Sequence, residues 1–277
     1  MIFTRNISTA RHKLQQALPI VLFAVTALML LTSCGKTAHG SDITPLPGDS
    51  CNGPPLAITT PTPGAEPAAS AELASRLPDG FVYVTDVNSS IRVDLRYAGP
   101  DNFTGAPADG YKSATAAILT REAALALSKA QQRLQEEGLG LLIYDAYRPQ
   151  SAVDYFMRWT ENDDISHKAD YYPKLSKSAL PGAYIGRRSG HSRGSTVDVT
   201  LADASSGEPL DMGSPFDLFD PISSHGAAGL TAEQSENRLK LKGVMETFGF
   251  KAYDGEYWHY TLSSEPFPDT YFDFDVK

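Results

Sequence analysis

Apolar positions along this chain follow several distinct rhythms. Ile20 to Leu31 form a nearly unbroken apolar run. A long stretch with few large apolar side chains follows, and from about residue 78 the pattern becomes that of a folded domain. Phe81 to Val84 and Ile91 to Tyr97 read as strands; in the second, Ile91, Val93 and Leu95 alternate with Arg92, Asp94 and Arg96, the period of two that a half-buried strand requires. Thr120 to Glu137 reads as a helix, with Ala123, Leu127, Ala130 and Leu134 on one stripe and Gly138 at its stop. Leu139 to Tyr147 is a continuous apolar run that suits a buried strand, and Gln150 to Thr160 follows Pro149 as a helix. Thr231 to Phe248 carries the clearest helix signals: a Thr231/Gln234 capping box, then Leu241, Val244, Met245 and Phe248 on one face. Strands and helices without a regular alternation favour a single α+β domain over a doubly wound sheet.

The rest of the chain reads as address and spacer. Arg5, Arg11 and Lys13 precede the apolar run, and small residues follow it, the layout of a secretory signal over residues 1–34. Roughly 12 apolar residues reach only ~18 Å as a helix, short of a ~30 Å hydrocarbon core, so the run is not a permanent span. Leu31-Thr32-Ser33-Cys34-Gly35 resembles the bacterial lipobox, which implies lipidation of Cys34 and a membrane-anchored lipoprotein of the bacterial cell envelope, facing the periplasm or the exterior. The alternative is an ordinary cleaved signal with an incidental cysteine. Residues 35–77 hold seven of the 19 prolines between Pro45 and Pro67, a composition that buries too little surface to offset its ordering entropy and acts as a semi-extended tether. Cys51 is then either a lone thiol or the partner of Cys34 in a disulfide. The formal net charge of −9 argues against nucleic acid as a partner, because phosphate binding needs a basic face.

Candidate chemistry lies in the folded part. Of six histidines, His12 falls in the signal, His39 in the tether, His167 in a polar loop and His225 in a loop before the last helix. His191 and His259 remain, each with acidic company. Gly190 and Gly194 place His191 in a turn, and the strand that follows sends Val197, Val199 and Leu201 to one face and Thr196, Asp198 and Thr200 to the other. Asp198 and His191 suit two ligands of one metal, although Asp198 could equally cap a loop or pair with Arg193. In Glu256-Tyr257-Trp258-His259-Tyr260, the Glu and His would face opposite ways on a regular strand. Joint service at one site requires Glu256 at a strand entrance, where Asp254-Gly255 redirects the chain; otherwise this is an aromatic core strand with one satisfied histidine. Two histidines and an aspartate with an open fourth position form the pattern of catalytic rather than structural zinc, and an unligated glutamate beside them can accept a proton. Arg148 ends the apolar strand in Tyr144-Asp145-Ala146-Tyr147-Arg148-Pro149, either as a fixed cation for an oxyanion or as half of an ion pair.

Taken in order, the His-x₆-Asp, Glu-x-Trp-His and Tyr-Arg-Pro motifs resemble those of VanX-type D-alanyl-D-alanine dipeptidases, zinc peptidases related to the D,D-carboxypeptidases and the hedgehog-type metal fold. Asp94-Leu95-Arg96-Tyr97, Asp101-Asn102-Phe103-Thr104-Gly105 and Met212-Gly213-Ser214-Pro215-Phe216-Asp217 extend the resemblance over nearly all of residues 80 to 262. It implies a mainly antiparallel central sheet flanked by helices, with one Zn²⁺ per chain on His191, Asp198 and His259. It further implies Glu256 as acid/base and Arg148 as stabiliser of the tetrahedral intermediate. Asp217 and Ser189 would hold the ammonium and carboxylate ends of the D-Ala-D-Ala dipeptide, and Tyr97 would make a further substrate contact. Alternatives are a D,D-carboxypeptidase or L,D-endopeptidase acting on longer peptidoglycan peptides, or a metal-dependent peptidoglycan-binding lipoprotein without turnover.

Overall fold

A computed structural model describes residues 77–111 and 114–277; the signal, lipobox and tether readings lie outside them. The first elements are β1 (Phe81–Tyr83), a single helical turn α1 (Val84–Val87), β2 (Arg92–Val93) and β3 (Ile118–Thr120). There follow α2 (Arg121–Gln135), β4 (Leu139–Asp145), α3 (Gln150–Thr160), the short α4 (Lys168–Tyr171) and β5 (Thr196–Asp203). The chain closes with α5 (Ala232–Thr247), β6 (Phe250–Ala252) and β7 (His259–Leu262). The central sheet runs β2-β4-β5-β7-β6, and only the β2–β4 pair is parallel. A separate antiparallel pair joins β1 to β3. This is the expected α+β domain with a mainly antiparallel sheet.

Local signals account for the helices. Thr120 caps α2 by accepting from the Ala123 amide, and Gly138 takes φ +72° just beyond its end, a left-handed turn that glycine adopts without a Cβ clash. Thr231 and Gln234 form both halves of the capping box on α5. Leu127, Ala130 and Leu134 of α2 and Leu241, Val244 and Met245 of α5 are buried in the core that also contains Leu141, Ile143, Val199 and Leu201.

The strands depart from periodicity in instructive places. β1 stops at Tyr83 because Val84 opens a helical turn. The alternating stretch from Ile91 pairs only at Arg92 and Val93, after which residues 96–98 form a 3-10 turn. That turn swings Tyr97 inward beneath Phe103 and Phe156, aromatic contacts that outweigh continuation of an edge strand. In β5, Thr196, Asp198 and Thr200 are as buried as Val197, Val199 and Leu201. Both faces of this strand are covered: Asp198 stands in a cleft, whereas Thr196 pairs with the Thr261 hydroxyl of the neighbouring strand at 2.9 Å.

Candidate metal centre and active site

Sheet register assembles the site. Asp198 on β5 lies opposite His259 on β7 and, across the irregularity that ends β4, opposite Asp145. Directly opposed residues on neighbouring strands have Cβ atoms ~4.5–5.5 Å apart, so three side chains meet in one line across the sheet. His191 arrives from the 3-10 turn at Gly190–Arg193, which Gly194 closes at φ +79°. A Cβ on Gly194 would stand 2.2 Å from Phe81 Cε1, so neither the turn angle nor the packing tolerates a side chain there.

The donor atoms of His191, Asp198 and His259 lie within 4.8 Å of one another. His259 Nδ1 stands 3.0 Å from Asp198 Oδ1, His191 Nε2 3.3 Å from Asp198 Oδ2, and the two ring nitrogens 3.3 Å apart. His191 Nδ1 donates to the Ala146 carbonyl at 2.7 Å, which fixes the tautomer that leaves the Nε2 lone pair facing the centre. Two imidazoles and a carboxylate converging in a buried place fit one divalent ion, and this donor set is that of zinc. Burial alone would push the Asp198 carboxyl up, but the flanking His191 and His259 rings outweigh it and hold the group well below the usual carboxylate range.

Glu256 occupies the tip of the β6–β7 hairpin, where its amide donates to Tyr253 O and His259 N donates back to Glu256 O. The turn resolves the facing problem: Glu256 precedes the strand, and its Oε2 comes within 3.7 Å of His259 Nδ1. Its side chain is 22% exposed. Burial in the cleft, reinforced by the nearby Asp198 charge and opposed by His259 and Arg148, raises the Glu256 carboxyl to about 7.

Arg148 and Asp145 do form an ion pair, at 2.9 Å, but it is no surface pair: Asp145 is 0% and Arg148 13% exposed. The guanidinium lies over the Tyr97 and Phe156 rings and reaches to 3.6 Å from Asp198. Asp145 is tied in turn by the Tyr111 hydroxyl, which donates to its Oδ1 at 2.6 Å. Nothing in local spacing pointed to Tyr111, because the contact joins residues that meet only after the strand and the preceding loop have packed.

The remaining candidates line the same cleft. Tyr97 donates from its hydroxyl to Asp217 Oδ2 at 2.7 Å. Asp217 takes φ +61°, the one non-glycine in the left-handed region among the described residues, and burial pushes its carboxyl well above the usual range. Ser189 caps the His191 turn, its Oγ accepting from the His191 amide at 3.2 Å, so its hydroxyl hydrogen remains available. All of these residues border one cavity of about 400 Å³, together with Ala183 to Gly186 from the segment after α4. Lys177 pins that segment: its ammonium lies over Trp159 and donates to Asn162 Oδ1 and Asp164 O. His225 lies outside this cavity lining.

Residues 78–277 match the family model described as D-Ala-D-Ala dipeptidase. The D-alanyl-D-alanine dipeptidase of Streptomyces coelicolor is 46% identical over 71% of this chain and 98% of its own length. That of Enterococcus faecalis is 44% identical over 72% of this chain and 99% of its own, and that of Escherichia coli 35% identical over 62% and 79%. Among solved structures, the vancomycin-resistance D,D-pentapeptidase VanY in complex with Zn(II) is similar over 53% of this chain and 74% of its own, at 15% identity and a TM-score of 0.33. With a matched region that spans the entire described domain and relatives covered almost end to end, this chain belongs to the D-Ala-D-Ala dipeptidase family.

Proposed function

We propose that the protein hydrolyses the dipeptide D-Ala-D-Ala, with one zinc ion held by His191, Asp198 and His259, in peptidoglycan precursor turnover or glycopeptide resistance. The observation that carries this reading is the convergence of the three donors beside an unligated Glu256 whose carboxyl is raised to about 7. A bound zinc would supply Lewis acidity, polarising the peptide carbonyl and acidifying water. Glu256 takes the proton of the attacking water and returns it to the leaving amine; a carboxyl raised by burial is a better proton acceptor than a solvated one and can still give the proton up. Arg148, held by Asp145 and stacked on Tyr97, offers its free guanidinium edge to the developing oxyanion. Asp217 accepts from the substrate ammonium, whose charge offsets the burial that disfavours this carboxylate, and Tyr97 keeps it in place. Ser189 donates its hydroxyl hydrogen to the substrate carboxylate.

We further propose, from the N-terminal sequence alone, that the protein belongs to the bacterial cell envelope. A lipidated Cys34 would anchor it, and residues 35–77 would hold residues 78–277, the zinc dipeptidase domain, away from the membrane. The lipobox-like sequence and the proline content support this. The deciding experiment incubates the zinc-loaded mature protein with D-Ala-D-Ala, L-Ala-L-Ala and a pentapeptide ending in D-Ala-D-Ala, with and without chelator. Cleavage of the first alone, abolished by chelation, is expected. Equal cleavage of the pentapeptide would make the protein a carboxypeptidase, and binding without cleavage over hours would make it a binding protein.

A further inference from the structure

Arg238, on the buried side of α5, is 1% exposed, yet no carboxylate lies within ion-pair distance of it among the described residues. Its guanidinium donates to carbonyl and hydroxyl oxygens instead. Nε reaches Met212 O at 2.6 Å, Nη1 reaches Ile222 O at 2.8 Å and Ser224 O at 2.7 Å, and Nη2 reaches Ser214 Oγ at 3.1 Å. The plane of the group lies over the Tyr257 ring, 4.5 Å from its centroid. Tyr257 completes the assembly: its amide donates to Ser223 O at 2.9 Å and its hydroxyl to Ser214 O at 3.3 Å.

All four acceptors belong to a single loop, and they fall on both sides of Asp217. Met212 and Ser214 lead into it; Ile222 and Ser224 lead out. Burying a guanidinium with no carboxylate in contact is costly, the Asp211 charge acting on it only from a distance, and a methionine or leucine would fill the same volume without that cost. What an aliphatic side chain cannot supply is a planar fork of donors that joins several carbonyls at set angles. The loop needs such a tie, because Asp217 at its crest holds a left-handed conformation that a non-glycine residue keeps only when its surroundings dictate it.

We infer that Arg238 is a positioning residue for the ammonium subsite: by tying both feet of the 212–224 loop it sets where the Asp217 carboxylate stands, and thereby how strongly the enzyme prefers a dipeptide with a free amino end. The inference rests on Asp217 being the partner of the substrate ammonium. Arg238 touches no substrate and moves no proton; its effect passes through the loop.

The test uses the zinc-loaded protein and two ligands, D-Ala-D-Ala and propionyl-D-alanine, which keeps the peptide and carboxylate but lacks the ammonium. Arg238→Met should raise KM for the dipeptide by about tenfold to a hundredfold, the scale of a misplaced binding group. The Ki of propionyl-D-alanine should stay within about twofold of the parent, because that ligand makes no use of Asp217. Arg238→Lys, which keeps the charge and loses the fork, should fall nearer to Met than to the parent. Ser214→Ala removes a single acceptor and should shift KM in the same direction by a smaller factor, which keeps the test open if Arg238→Met does not fold. Equal weakening of both ligands, or an unchanged KM in folded Arg238→Met protein, would overturn the inference. If Asp217→Asn leaves the preference for the dipeptide over propionyl-D-alanine as it is in the parent, the ammonium reading of Asp217 itself fails, and this inference with it.

Discussion

At the residue scale the proposed base Glu256 and the proposed oxyanion partner Arg148 each stand where a different force puts them. Glu256 sits in a hairpin turn, and burial raises its carboxyl to about 7. If Glu256 is the base, replacement by Gln keeps the shape and removes the proton acceptor, so zinc content should stay near one per chain while kcat falls by about 10²–10⁴. Metal analysis beside steady-state kinetics checks this; a variant that retains zinc and parental kcat would remove Glu256 from the mechanism. Arg148 owes its orientation to Asp145, which is itself held by Tyr111. Asp145→Asn should therefore lower kcat/KM by about 10²-fold, since a misplaced catalytic group costs on that order.

The turn before β5 is fixed at the scale of elements by packing from outside the sheet. Phe81 of β1 meets the rings of Tyr147, Phe267, Phe272 and Phe274, and the chain end is laced to the site by Phe272 N donating to Ser192 O and Gln150 N donating to Phe272 O. Arg193 adds a two-pronged pair to Glu265, at 2.7 and 2.8 Å. The C-terminal segment thus straps the turn that presents His191. Phe81→Ala should cost about 3–5 kcal/mol, a drop in Tm of roughly 10 °C for a domain of this size. Thermal unfolding measures it directly, and a shift under about 2 °C would show that the strap closes the gap by itself.

The whole molecule carries a half-buried base that responds to pH. Burial first, then the positive Lys242 and Arg238, hold the His225 ring at about 4, against only Asp254 in the other direction. The unfolded chain binds this proton near 6.5, so between those values it holds more protons than the folded protein. Stability contributed by the neutral ring is therefore complete above about pH 6.5 and is lost as pH falls towards about 4. Denaturant unfolding of the parent and of His225→Gln across pH 4–7 should show a steeper acid loss in the parent; parallel curves would contradict the assignment. The proposed anchoring belongs to this scale too. Cys34→Ser should move the protein from the membrane fraction to the soluble fraction of an expressing bacterium while leaving the activity of the purified protein unchanged.

Much of this protein was determined within short windows of its sequence. The capping box at Thr231, the apolar stripes of α2 and α5 and the run of β4 depend on neighbours a few residues away, and they form as their patterns predict. That His191, Asp198, His259 and Glu256 were candidates for one site was legible for a related reason, and the structure brings the four side chains together. His191 and Asp198 share a turn and the strand it opens, and Glu256 and His259 share a hairpin, so their chemistry is local even though the two halves come from distant parts of the chain. Tertiary structure decided which polar groups lost their water. Asp145 could have been a surface partner of Arg148; strand pairing made it a buried one and brought Tyr111 to it from 34 residues away. Arg238 stands three residues before Leu241 and seven before Met245, at the spacing of the same helix face. Only the packed molecule shows what it holds there, because the carbonyls it ties come from a loop that helix periodicity does not describe.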